Sequence, residues 1–252
     1  MVVDAILYNG ESELFDLRYN ILKDVVDEFV VVEFDTTFSG RAKKRNPIDL
    51  PKVSYYFRTQ WTHHNEANGL PEAFGIEYNQ REAIKDCLTH LKDDDALFMG
   101  DCDEIWNPFA VNAALIWITK LRLLVYSYWL NNRSSEDFAL GPVMGTWGMM
   151  KNRSFNDLRT STTLTSSYHG WHFTSMGGVE ALKRKIESYG HQEFNTKEIK
   201  DNLELALSTG KDFIGRDFRY TIDESDWPQY LKDNREKYVH LCRERQKETL
   251  NT

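Results

Sequence analysis

The segment Ala96-Leu97-Phe98-Met99-Gly100-Asp101-Cys102-Asp103-Glu104 decides how this chain is read. Its apolar start is too short for a helix and suits a strand buried on both faces. The acidic cluster follows at once, so it falls at the strand's carboxyl end, where α/β sheets bind their ligands. Working back toward the N-terminus, residues 77–91 carry Ile84, Leu88 and Leu91 at helical spacing. Residues 52–58 and 29–34 read as strands. Residues 13–23 repeat the helical spacing with Leu14, Leu17, Ile21 and Leu22, and Val2–Tyr8 is an apolar strand ending in the turn pair Asn9-Gly10. Strand and helix alternate along this stretch, which predicts an α/β fold with a mostly parallel central sheet.

Beyond the acidic cluster, residues 111–130 are the most apolar of the chain. Lys120 and Arg122 sit near the middle, where each costs about 2.5–3.5 kcal/mol in a membrane. The stretch therefore reads as a helix ending near Thr119 and a strand over 121–130, with no membrane span. Helices are expected over 179–188 and 197–208, and a charged surface helix over 230–252.

Across 252 residues the hydrophobic share is 41% and the charged share 28%, the balance of an ordinary globular chain. The net charge of -8 argues against general nucleic-acid binding. Cys87, Cys102 and Cys242 are scattered and odd in number, which points to a reducing compartment. The N-terminus has no basic start, and Asp4 interrupts it early, so it does not read as a signal peptide. The expected location is cytoplasmic.

Asp101 and Asp103, one residue apart at a strand end, reach one small volume. Hard carboxylate oxygens suit Mn²⁺ or Mg²⁺, which in turn hold a diphosphate and offset charge on a departing phosphate. A lone D-x-D is more often a solvated turn; the apolar strand before this one shifts the balance toward function. Asp93-Asp94-Asp95 and the tandem His63-His64 read as solvated surface.

The motifs have a characteristic order. Tyr8-Asn9-Gly10-Glu11 is followed by Leu14-Phe15-Asp16-Leu17-Arg18, Val25-Val26-Asp27-Glu28-Phe29-Val30, Glu33 and Thr37-Phe38-Ser39-Gly40. Then come Asn79-Gln80-Arg81, Gly100-Asp101-Cys102-Asp103-Glu104-Ile105, Gly170-Trp171-His172-Phe173, Lys185, His191 and Gly210-Lys211-Asp212. This order resembles glycosyltransferase family 17, the family of the bisecting N-acetylglucosaminyltransferase of N-glycan processing, over roughly residues 3–216. The resemblance implies a GT-A-like nucleotide-sugar-binding sandwich, a D-x-D metal site and an inverting transfer to a glycan or other hydroxyl acceptor. A UDP-sugar is the favoured donor. The chain is then one domain over 1–252, with residues 1–105 the nucleotide-binding half and 106–252 the acceptor side and C-terminal helices. The segment 130–168 matches least.

Roles follow from position. Tyr8, Asn9 and Glu11 at the first strand's exit, and Glu33 at the end of the next strand, are candidates for the nucleotide. Arg81, Asp101, Lys185 and Arg216 are candidates for donor contacts. Arg18 either binds a phosphate or pins the loop. Asp101 and Asp103 are the metal candidates, with His191 as a third ligand. An inverting transfer needs a base to deprotonate the acceptor hydroxyl; Glu193 is the first candidate, with His172, Asp137 and Asp217 as alternatives. Two rivals stay open: a metal-dependent phosphodiester hydrolase or nucleotidyltransferase, and a non-catalytic nucleotide- or carbohydrate-binding module.

Overall fold

The computed structural model describes residues 1–59, 72–113 and 115–244. His63-His64 and the end of the expected tail helix, residues 245–252, lie outside them. The strands are β1 (Val2–Tyr8), β2 (Glu28–Phe34), β3 (Val53–Arg58), β4 (Ala96–Asp101), β5 (Glu104–Trp106), β6 (Thr119–Ser127), β7 (Asn132–Ser134), β8 (Val143–Thr146), β9 (Leu164–Thr174) and β10 (Tyr220–Ile222). The helices are α1 (Ser12–Leu22), α2 (Glu72–Glu82), α3 (Trp147–Met150), α4 (Phe155–Ser161), α5 (Gly178–Ser188), α6 (Lys197–Thr209) and α7 (Gln229–Asp233). One sheet runs through the described residues in the order β10-β7-β6-β8-β4-β1-β2-β3, with β9 pairing β5 and β6 off that path.

The first half follows the expected alternation. β1 pairs in parallel with β2 and with β4, and β2 with β3. In this register Leu7 lies opposite Asp101, so the exit of β1 and the acidic loop are side by side. Alternate residues of β1 and β2 enter two separate cores, as a sheet covered on both faces requires. Ile6, Tyr8, Phe29 and Val31 pack with Leu14, Phe15 and Leu17 of α1, while Val3, Ala5, Val30 and Val32 pack with Ile84, Leu88, Phe155 and Leu158. Burying each such aliphatic side chain is worth about 1.5–3 kcal/mol, so both helical layers are held to the sheet.

The expectation of a mostly parallel sheet is corrected by the second half. There β4 pairs β8, β8 pairs β6, β6 pairs β7 and β7 pairs β10, all antiparallel; β6 with β9 is parallel. The reason is connection length. For β6 and β7 only residues 128–131 join the two strands, whereas a parallel crossover needs a dozen residues or more. The sheet is mixed α/β.

Two further expectations change. The helix expected to end near Thr119 is a 3-10 turn at Pro108–Asn112, which Asn107 caps by accepting the Phe109 N–H at 3.0 Å. Ile116 and Trp117 beyond it are exposed and offer no helical face to a core. Lys120 is tolerated inside because its ammonium donates to the Arg159 carbonyl at 2.8 Å. The described part of the tail is not a surface helix either: α7 and the 3-10 turn Arg235–Leu241 bury Leu231, Tyr238 and Leu241 in the core beside α1. The Tyr238 hydroxyl donates to Asp16 at 2.6 Å.

Candidate active site

The acidic loop is built from below. Arg18 on α1 is fully buried and grips Asp4 of β1 through two contacts, Nε at 2.7 Å and Nη2 at 2.6 Å. Its remaining nitrogen, Nη1, donates to the carbonyls of Asp101 at 3.0 Å and Glu104 at 2.8 Å. The Trp106 indole N–H completes the shell of Asp4 at 3.0 Å, and its ring stacks on Phe98 at 3.9 Å. Of the two roles open to Arg18, it performs the pinning one: a planar five-donor group in a fixed fork can serve a carboxylate and loop carbonyls together.

Asp101 is held from the sides. Arg81 donates to one oxygen at 3.2 Å and Arg159 to the other at 3.0 Å. Arg159 also clasps the buried Glu104 at 2.6 and 2.9 Å. Burial opposes the charge of Asp101, but the two guanidinium groups outweigh it and hold its carboxyl below the usual range. Asp103 faces Lys185 at 3.3 Å and His172 Nε2 at 3.4 Å. Burial again opposes charge, and Lys185 and His172 again prevail. The reciprocal effect raises the His172 pKa: burial lowers it, and Asp103 more than restores it.

These groups open onto a cleft of about 730 Å³. Asn9, Glu11, Arg81, Asp101, Asp103, His172, Lys185, His191 and Arg216 all line it, from the turn after β1, α2, β4 and the turn after it, β9, α5 and the segments after α5 and α6. An adjoining pocket of about 370 Å³, between the start of α1 and α5, shares Asn9, Glu11, Asp103 and Lys185. Asp103 thus stands where the two spaces meet.

Tyr8, Glu33 and Glu193 are not among the lining residues. Tyr8 is buried against Phe15 and bonded to Asn46 at 2.8 Å. Glu33 is buried with Lys43 at 3.0 Å, the Asn46 N–H at 2.9 Å and the Tyr55 hydroxyl. It fastens the loop after β2. Glu193 is half-exposed and bonded to His191 at 2.7 Å. Among the described residues no three His, Cys, Asp or Glu side chains are grouped to hold a metal, so His191 does not join Asp101 and Asp103 in such a set. Asp101 has both oxygens engaged by arginines. Asp103 is the carboxylate free to exchange a partner, since Lys185 is a flexible, partly exposed cation. A Mg²⁺-type ion bound by one carboxylate and completed by phosphate oxygens fits that donor set.

Sequence reasoning missed Arg159, Glu104 and Phe138. A single arginine on the short α4 carries the same signal as any surface arginine. Phe138 lies in the segment that matched least.

The family model for glycosyltransferase family 17 matches residues 1–215. The chain belongs to glycosyltransferase family 17, and is accordingly a glycosyltransferase. No curated protein matches it. Among the described residues no helix is long and apolar enough to cross a membrane.

Proposed function

We propose that the chain is an inverting transferase that moves a sugar from a nucleotide-diphosphate donor, a UDP-sugar by preference, to a hydroxyl of a glycan. The observation that carries this reading is Asp103, set at the end of a parallel strand beside the β1 exit and lining both adjoining spaces. Lys185, paired with Asp103 in the free chain, is within reach of a diphosphate once that carboxylate takes another partner. Asp103 is the residue that would hold Mn²⁺ or Mg²⁺; such an ion, when bound, offsets the charge on the leaving diphosphate. Asn9 and Glu11 hold the donor at the β1 exit. Arg81 and Arg159 keep Asp101 charged and fixed, so it shapes the floor.

Of the candidate bases, His172 has the better support. It lines the cleft next to Asp103, whereas the Glu193 carboxylate is engaged by His191 outside the walls. In this role Nε2, released from Asp103 when that carboxylate turns to the metal, takes the proton of the attacking hydroxyl. His172 Nδ1 is buried with no hydrogen-bond partner among the described residues.

The test is product formation from a panel of nucleotide sugars, with Mn²⁺ and with EDTA. We expect one donor class to be turned over only with the metal. Turnover of phosphodiesters or free nucleotides in place of every sugar donor would favour the hydrolase or nucleotidyltransferase reading.

A further inference from the structure

One wall of the cleft, built from the C-terminal half, has an anchor of its own. The loop between β7 and β8 presents Phe138, half-buried, at the lining of the cleft. Its ring meets His172 edge-on, with centroids 5.3 Å apart and planes at 74°. The Arg216 guanidinium lies 5.8 Å from the Phe138 ring and 4.2 Å from that of Phe218. Arg216 is in turn fixed by Asp212, through Nε at 3.1 Å and Nη2 at 2.6 Å. Asp212 is buried and also accepts the hydroxyls of Tyr128 and Tyr220, each at 3.1 Å. A buried carboxylate therefore orients a cation, the cation orients a ring, and the ring abuts the histidine that touches Asp103.

We propose that Phe138 determines acceptor specificity, as the stacking platform for a pyranose ring of the acceptor. The inference rests on the sugar-transfer reading of the cleft. A pyranose has an apolar C–H face and a polar rim, and so needs a flat apolar surface ringed by hydrogen-bonding groups. The wall supplies both: Phe138 with Leu140 and Phe213, and around them His172, Arg216 and Thr174. A peptide or aliphatic hydroxyl has no such face to place on the ring. Because the ring is already fixed, a bound sugar loses little affinity to ordering it.

Saturation-transfer NMR on the full chain, with UDP and Mn²⁺ present, reads this directly. The probes are methyl β-D-glycopyranosides and chitobiose, with N-acetylserine amide and a nucleoside as comparators. We expect transfer to the ring-face protons of a glycoside, an affinity loss of about tenfold or more in Phe138→Ala, and recovery in Phe138→Trp. Both variants should unfold cooperatively, since Phe138 lies outside the three buried cores. Unchanged glycoside binding in Phe138→Ala, no glycoside binding by the wild type, or preference for the nucleoside or the serine amide would each overturn the inference. Should the wild type turn over no nucleotide sugar while glycoside binding still depends on Phe138, the transfer reading fails and the platform stands.

Discussion

The acidic loop is gripped from its two sides in different ways. On the N-terminal side, Arg18 and Asp4 have no exposed side-chain surface, and the same arginine holds the carbonyls of residues 101 and 104. On the C-terminal side, Asp103 meets Lys185, whose side chain is 36% exposed, and His172. Breaking a fully buried pair strands an uncompensated charge, whereas a pair with one partner open to solvent loses less, because that partner can be hydrated. The first region is a fixed floor. The second exchanges partners at little cost, as a wall that receives a ligand must.

The largest effect to test this contrast is on turnover. Asp103→Ala should lower sugar transfer by at least about 10²–10³-fold, the scale for one electrostatic group at a reacting centre. The unfolding midpoint should fall less than in Arg18→Ala, because Lys185 can turn to solvent and His172 can lose its proton. Full activity in this variant, or in EDTA, breaks the assignment of Asp103.

Next comes stability. Arg18→Ala should destabilise the chain by about 3–5 kcal/mol in urea titrations, as Asp4 is left buried and unpaired. Lys185→Ala should cost less than about 1 kcal/mol. Equal losses in the two variants would erase the distinction between floor and wall.

His172→Gln should reduce the transfer rate by about 10²-fold or more with donor affinity retained. Glu193→Gln should stay within about twofold of wild type, since a base contributes only where it reaches the acceptor proton. The opposite ranking, measured in single-turnover transfer, returns the base to Glu193.

The smallest effect is in acid. Burial resists the charge on Asp212, but its bonds and proximity to Arg216 hold its carboxyl below the usual range. A depressed carboxylate contributes stability above its unfolded pKa, about 3.9, and loses it as pH falls through the folded value. Asp212→Asn should therefore flatten the loss of stability below about pH 4. An unchanged acid limb would show that the Phe138–Arg216 wall does not depend on this carboxylate.

The N-terminal half was legible because its signals are local. Apolar runs at 2–8, 29–34 and 96–99 become strands wherever both faces are covered, and the spacing of Leu14, Leu17, Ile21 and Leu22 has one helical solution. Asp101 and Asp103 were found because their distance along the chain is also their distance in space. Residues 111–130 misled: the run is apolar, yet Ile116 and Trp117 face solvent and only Thr119–Ser127 pairs as a strand.

The order of the first elements, the acidic loop at the end of β4 and the resemblance that the family match over residues 1–215 bears out are all written in local stretches of the chain. What those charges do depends on the folded surroundings. Arg18 and Arg159 have the same composition and similar helical settings; one grips Asp4 and the loop carbonyls from beneath, and the other joins Glu104 to Asp101. Glu33 stands at a strand end like Asp101, yet is consumed by Lys43, Asn46 and Tyr55. A charge's role depends on which opposite charge and how much water surround it. For Arg159 and Glu104 that partner is 55 residues away and for Trp106 and Asp4 102, and no local pattern encodes such pairs.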